Sequence, residues 1–390
     1  MTDDAGDAAP ENEAAAEYRP GLEGVIAAET RLSRIDGEAG ELLIGGFPVA
    51  ELAGRATFEE TLYLLWNDRL PTRTELEGLR ERLHANRRLS DTTREAVREA
   101  AERGDPAMDA LRAAAATANL GREGGETPET DAVRAVAVLP TAAAAYWRYR
   151  RGETPVDPRE DLGHAANYLY LLTGEEPSEA AVRGLETYLN CVVDHGLNAS
   201  TFVARAVVST ESDLLSATTA GVGTLKGPLH GGAPGPVLDM LQEVHDAGDP
   251  RAWVRERLAA GERLMGFGHR VYRVRDPRAA VLSAAAERFY AGGSERAFFE
   301  TAVEFEDVAR ELLAEHRPDH RLDTNVEFYT AVLLNGIGVP RDLFTATFAV
   351  GRAGGWTAHC MEQLADNRIV RPRARYVGSE GRTWTPLEER

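Results

Sequence analysis

The stretch TFEETLYLLWNDRLPTRTELEGLRERLHAN, residues 57–86, decides the fold class. Thr57 stands where a helix N-cap belongs, and Phe58, Leu62, Leu65 and Trp66 follow at helical spacing on one face. Pro71 reads as the end of that helix, and Thr72 with Glu75 as the start of another. The same grammar continues to about residue 225. It predicts helices over 74–86, 90–102, 106–118, 130–149, 158–173, 177–194 and 197–210. Turns carry the Gly and Pro, as in GREGGETP (121–128) and RRGETPVDP (150–158). Upstream, RLSRIDGEAGELLIGGF (31–47) reads as a small hairpin around Asp36-Gly37. No βαβ alternation, fixed-period repeat, GxGxxG or Walker loop interrupts this pattern, so the expected class is all-α.

The chain has 390 residues and 43% hydrophobic content, enough for two domains or one large domain with a sizeable core. No apolar run reaches about 18 residues, and the N-terminus lacks a basic-then-apolar signal pattern. Membrane binding is not expected, and the expected location is cytoplasmic. Cys191 and Cys360 are too few for a disulfide framework and read as buried, reduced thiols. The net charge of −19 argues against nucleic-acid binding, which needs a basic surface. Lys226 is the single lysine; every other basic residue is arginine. A high-GC genome accounts for that swap but not for the acid excess, which suits a halophilic cytoplasm where salt screens self-repulsion. Residues 1–17, acidic and Ala-rich, read as a disordered tail.

Five segments concentrate polar chemistry. In DHGLNAST (194–201), Asp194, His195 and Asn198 interrupt an apolar run, although one histidine at a helix end is ordinarily a satisfied one. In LKGPLHGGAPGP (225–236), two glycines after His230 let backbone approach a ligand, or simply make a turn. GFGHRVYRVRDPRA (266–279) sets Arg270, Arg273, Arg275 and Arg278 behind His269 in an otherwise acidic protein. TNVEFYTAVLLNGIG (324–338) places Glu327 where an apolar helix begins, a position that also suits a dipole-compensating carboxylate. FAVGRAGGWTAHCMEQLADNRIVRPRARYVG (348–378) buries Arg352 beside glycines and follows its helix with Arg371-Pro372-Arg373. Neither CxxC nor HExxH occurs, so a metal site has no motif to stand on. Histidines, one acid and several arginines together point to acid–base chemistry on a small polyanion next to a carbonyl.

These motifs, with GLEGVIAAETRLSRIDGEAGELLIGGF, resemble those of the citrate synthase family, in order from about residue 20 to 378. The resemblance implies a nearly all-α fold. A large domain (18–231 and 339–390) would be closed over by a smaller helical domain (232–338), after the 1–17 tail. It implies condensation of acetyl-CoA with oxaloacetate to citrate, with acetyl-CoA as co-substrate and no permanently bound cofactor. The partner would be a second copy, in a homodimer with shared active sites. By motif, His230 would hydrogen-bond the thioester oxygen, Glu327 would take the acyl α-proton, and His269 would polarise the ketone and return a proton. His195, Arg278 and Arg352 would hold the oxaloacetate carboxylates, joined by Arg371 from the neighbouring subunit. Arg273 and the backbone of Met265, Gly266, Phe267 and Gly268 would meet coenzyme A.

The chain departs from the common family pattern twice. Glu327 stands where most members have Asp, which at full extension moves the carboxylate by about 1.5 Å. A misplacement of ~1 Å can lower a rate on the order of 10²-fold. Pro234 and Pro236 follow His230, so the next helix is predicted to begin around Pro236. A bacterial subgroup of the family resembles this chain in both features. Two alternatives stand beside the main reading. One is 2-methylcitrate synthesis from propionyl-CoA, since one methylene is worth only about 1–3 kcal/mol in a pocket. The other is a weakly catalytic regulatory paralogue, against which the retained histidines and arginines speak.

Overall fold

The structure, a computed structural model, describes residues 18–120, 127–232, 234–269, 271–291, 296–317 and 322–390. The acidic tail 1–17, the turn at 121–126 and Arg270 lie outside the described residues. The chain forms two units, one of residues 30–369 and one that pairs the N-terminal segment to Glu29 with Val370–Arg390.

The larger unit opens with an antiparallel sheet of β1 (Ser33–Asp36), β2 (Glu41–Ile44) and β3 (Phe47–Pro48), in that order. Ser33 faces Ile44 and Asp36 faces Glu41, which is the hairpin expected at Asp36-Gly37. The regular elements after it are helices: α1 (Val49–Ala53), α2 (Phe58–Asn67), α3 (Arg73–Ala85), α4 (Asp91–Arg103), α5 (Ala107–Thr117), α6 (Pro128–Arg150), α7 (His164–Thr173), α8 (Glu179–Val192), α9 (Ala199–Val208) and α10 (Leu214–Leu225). A further set comprises α11 (Pro234–Ala247), α12 (Pro250–Ala259), α13 (Pro277–Tyr290), α14 (Arg296–His316), α15 (Val326–Gly336) and α16 (Phe344–Ala365). The all-α expectation holds. Thr57 and Thr72 both close capping boxes, with Glu60 and Glu75, which is why α2 and α3 start where the sequence predicts.

Most helix bounds fall within two residues of expectation, and three differences have a visible cause. α2 stops at Asn67 rather than running to Pro71, because Asp68 adopts the left-handed conformation (φ 59°) and its N–H reaches back to Leu64. α7 starts at His164 rather than 158. Arg87, distant in sequence, donates to the carbonyls of Arg159 and Leu162 (both 2.9 Å) and holds that segment out of the helix. The helix after His230 includes Pro234 as well as Pro236, since neither proline lacks an N–H that the first helical turn needs. α2 is also buried on more than one face: Glu59, Tyr63 and Leu64 are as buried as Phe58 and Leu62.

The core is built on α6, buried at every position from Asp131 to Tyr146, and α16, buried almost continuously from Phe344 to Cys360. α16 packs on α6, α8, α9 and α10. Glycines make its closest approach possible. A Cβ on Gly355 would lie 2.1 Å from the Val193 carbonyl oxygen, and one on Gly354 2.5 Å from Leu62. α16 therefore presses directly on the turn that follows α8. Elsewhere Phe305 of α14 stacks on Phe328 of α15, and Phe267 meets both edge-to-face, all within about 6 Å. Cys191 and Cys360 are buried free thiols, as expected.

The smaller unit contains a short 3-10 turn at Pro20–Leu22 and the Arg375 guanidinium over the Tyr18 ring at 5.9 Å. Its apolar side chains Ile26, Val377 and Trp384 are 89%, 89% and 75% exposed. Among the described residues no helix is long and apolar enough to cross a membrane, and no group of three His, Cys, Asp or Glu could hold a metal ion.

Candidate active site

α8 ends at Val192, and the chain turns through Asp194, His195 and Gly196 (φ 58°) before Asn198 caps α9. The turn is fixed from both sides. Ser33 Oγ accepts from the Gly196 N–H (2.8 Å), and fully buried Asp194 faces His359 Nε2 of α16 at 3.1 Å. Arg205 donates to His359 Nδ1 (3.1 Å), so the Nε2 proton is the one directed at Asp194. His195 follows, with Nε2 3.2 Å from the Tyr272 hydroxyl. Arg352 of α16 donates from Nε to the Val192 carbonyl (2.6 Å) and lies over the Phe348 ring at 4.8 Å.

The loop 264–276 has little regular structure of its own and is pinned to the start of α15. Gly266 and Gly268 take positive φ (85° and 79°). Gly268 N–H donates to Asp323 O (2.8 Å), Asn325 N–H to Gly266 O (2.9 Å) and Asn325 Nδ2 to Gly268 O (2.9 Å). His269 Nδ1 accepts from the backbone N–H groups of Val271 (3.0 Å) and Tyr272 (3.1 Å). That fixes its tautomer: Nε2 carries the proton, and His269 can donate it. Asp276 caps α13 and grips Arg278 twice, at Nε (3.0 Å) and Nη2 (2.7 Å), with both residues buried.

His230 Nε2 lies 2.8 Å from Ser200 Oγ and 3.4 Å from Ser200 N, at the start of α9. The Ser200 N–H is directed at Nε2, so that nitrogen accepts and Nδ1 carries the proton, while the Ser200 hydroxyl proton goes to Asn198 Oδ1. Ser200 is held in turn by Trp356 Nε1 (3.0 Å) and lies 2.8 Å from Asn198 Oδ1. Glu327 lies in the first turn of α15, where the Asn325 side chain accepts its N–H (3.0 Å).

One cleft of about 430 Å³ is lined by His195, His230, His269, Arg278, Glu327 and Arg352 together. Gly268 lines it too, and Tyr188, Val192, Leu229, Val271 and Phe348 supply apolar wall. Burial, reinforced by Arg352, pulls His230 down to about 4; burial and Arg278 do the same to His269 against the opposing Asp276. Burial and both guanidiniums push His195 well below its ordinary value. All three rings are neutral at pH 7. Burial raises Glu327 to about 7, with Arg278 and Arg352 opposing. Arg352 is weakened by burial to about 10 and remains cationic. The cleft thus combines a poised base, neutral imidazole donors and two buried guanidiniums: it suits a dianion and a carbonyl made more electrophilic.

The remaining expected residues lie elsewhere. Met265, Gly266 and Phe267 are not among the cleft-lining residues. Phe267 lines a second cavity of about 270 Å³ with Arg263, Leu264 and His316. Arg273 is exposed, its N–H donating to Gly37 O (2.9 Å). Arg371 is exposed and belongs to the smaller unit. Sequence reasoning gave no role to Ser200, Tyr272 or Asp276. Asp-Pro at 276–277, an N-cap followed by proline at N1, was the available signal for Asp276.

Residues 21–373 match the family model described as citrate synthase, C-terminal domain. The citrate synthase of Haloferax volcanii is 45% identical over 96% of this chain and 99% of its own length. The chain belongs to the citrate synthase family. A 2-methylcitrate synthase of Mycobacterium tuberculosis is 37% identical over 94% of this chain and 92% of its own. A citrate synthase of Thermoplasma acidophilum, solved as a ternary complex with carboxymethyl coenzyme A and oxaloacetate, superimposes with a TM-score of 0.85 at 31% identity. That match covers 96% of this chain and 100% of the other. The fold is therefore the citrate synthase fold.

Proposed function

We propose that the protein condenses acetyl-CoA with oxaloacetate and hydrolyses the resulting thioester, releasing citrate and coenzyme A. The observation that carries this reading is the single cleft in which Glu327, with a pKa near 7, meets two histidines whose tautomers make them donors. Glu327 takes a proton from the acetyl methyl while His230 donates from Nδ1 to the thioester oxygen. The enol carbon attacks the ketone of oxaloacetate, and His269 gives its Nε2 proton to the ketone oxygen. Arg278, Arg352 and His195 hold the carboxylates. Water then breaks the C–S bond, and coenzyme A leaves as the thiol. Each positioned acid or base contributes on the order of 10²-fold or more.

The cleft draws His195, His230 and Arg352 from the segments 18–231 and 339–390, and His269, Arg278 and Glu327 from 232–338. This division supports a large and a small domain that close on the substrates and exclude water. Coenzyme A would follow the backbone from Met265 to Gly268, with Arg273 at its phosphates. A homodimer in a salt-rich cytoplasm, with Arg371 serving the partner's site, completes the reading.

Thiol release from acetyl-CoA, dependent on oxaloacetate, tests it directly. His269→Ala is expected to lower kcat by ~10²-fold or more with the fold intact. A variant keeping more than about a tenth of wild-type kcat would remove His269 from the mechanism. The same assay with propionyl-CoA, compared by kcat/KM, separates citrate from 2-methylcitrate synthesis.

A further inference from the structure

We infer that Glu306, a residue outside the cleft, is the positioning residue that aligns His269 with Glu327. Glu306 sits on α14, is 5% exposed, and does not line the cleft. Its carboxylate gathers donors from three places. Thr324 Oγ1 donates to Oε1 (2.6 Å), Arg275 Nη2 lies 3.0 Å from Oε1 and 3.2 Å from Oε2, and the Tyr329 hydroxyl donates to Oε2. The Arg275 guanidinium also lies over the Tyr329 ring at 5.7 Å.

Each donor is next to a working group. Arg275 precedes Asp276, the grip on Arg278, in the loop that carries His269. Thr324 pairs with Phe267 in the one-residue bridge that fastens this loop to the start of α15, and its carbonyl accepts from Asp276 N–H (3.3 Å). Tyr329 is two residues beyond Glu327. One buried carboxylate thus ties the base-bearing helix to the loop bearing the ketone donor. α15 has other anchors, in Phe328 and the apolar residues after it. The loop has little regular structure and leans on these ties. Loss of Glu306 therefore frees His269 and Arg278 more than it frees Glu327.

This inference rests on the proposed condensation, and the test separates the two. Exchange of acetyl-CoA methyl protons, with a saturating 2-hydroxy dicarboxylate in place of oxaloacetate so that binding through Arg278 is complete, reads Glu327 and His230. Condensation also requires His269 aligned with the ketone. In Glu306→Gln, condensation is expected to fall ~10–100-fold while exchange stays within a few-fold, since a shift of about 1 Å at a reacting group has that effect. A merely structural role would lower both in proportion to the loss of folded enzyme and leave their ratio unchanged. Arg275→Gln, at a partly exposed position, is expected to change the ratio in the same direction, and the double variant to be no worse than the Glu306 change alone. If Glu306→Gln does not fold, the Arg275→Gln ratio decides. An unchanged ratio, or additive effects in a folded double variant, overturns the inference. Wild-type protein that fails to condense acetyl-CoA with oxaloacetate overturns the proposed function, and this inference with it.

Discussion

Glu327 is raised to about 7 by burial, and that single displacement has consequences for rate and for stability. As a base it must be ionised, so kcat/KM is expected to rise with pH through about 7, well above an ordinary glutamate. Stability moves the other way. Between about pH 4.5 and 7 the folded protein keeps the Glu327 proton that the unfolded chain has released, so stability falls as pH rises through that window. The loss is on the order of 3 kcal/mol and persists above pH 7. Glu327→Gln keeps the size and a hydrogen-bonding end but cannot accept the α-proton. It is expected to be nearly inactive, and to melt higher than wild type at pH 8 but not at pH 4. A first-turn carboxylate that only complements the α15 dipole would give the reverse: near-normal turnover and a loss of about 0.3–1 kcal/mol. Methyl-proton exchange in Glu327→Gln isolates the abstraction step, and wild-type exchange there would exclude Glu327 as the base. Glu327→Asp then asks where the backbone stands. If it has receded to fit the longer side chain, aspartate falls short and the rate drops.

At the scale of elements, the cleft depends on α16 lying against the turn after α8. Gly355→Ala would set a Cβ 2.1 Å from a backbone carbonyl, which cannot rotate away. The expected result is a loss of about 1–3 kcal/mol or more and a raised KM for oxaloacetate, because the displaced turn carries His195. Gly78→Ala in α3 is the control: nothing lies within 4 Å, so helix propensity should give a gain of about 0.5–1 kcal/mol. Thermal melts of both, with KM for the first, check the pair. The same contrast explains what could be read from the sequence. The starts of α2 and α3 were legible because Thr57 and Thr72 satisfy their own helices within three residues. The start of α7 was not, since it is decided by Arg87 reaching across 72 and 75 residues to two carbonyls. In the cleft, His195 and Arg352 stood out as polar groups within apolar runs, Glu327 as the acid where an apolar helix begins, His230 by the two glycines after it, and His269 and Arg278 by the cluster of arginines in an acidic chain. Ser200 and Tyr272 are ordinary helix-start and loop residues whose partners, His230 and His195, only the fold brings near, whereas Asp276 grips Arg278 two residues on. Nothing in the sequence sets Glu306 apart from the chain's other acids, and only the tertiary packing buries it.

At the scale of the whole molecule, charge and assembly are the open quantities. A net charge of −19 with one lysine makes the surface repel itself at low salt. The Debye length shrinks from about 30 Å at 0.01 M to about 3 Å at 1 M. The melting temperature is expected to rise across that range, and an unchanged value would remove the halophilic reading. The unit containing Arg371 also carries Ile26, Val377 and Trp384 largely exposed. If Arg371 completes the partner's site, Arg371→Leu and His269→Ala should each be inactive alone, for different reasons. In a mixed dimer the site on the Arg371→Leu chain keeps its own His269 and receives Arg371 from the His269→Ala chain. The other site lacks both. Random exchange of equal amounts makes half the dimers mixed, with one working site of two, so about a quarter of wild-type activity should return. Subunit exchange can be followed with differently tagged chains. Full exchange without recovered activity would mean that Arg371 serves its own chain or no site at all, whereas recovery without exchange would mean that neither substitution had disabled its chain.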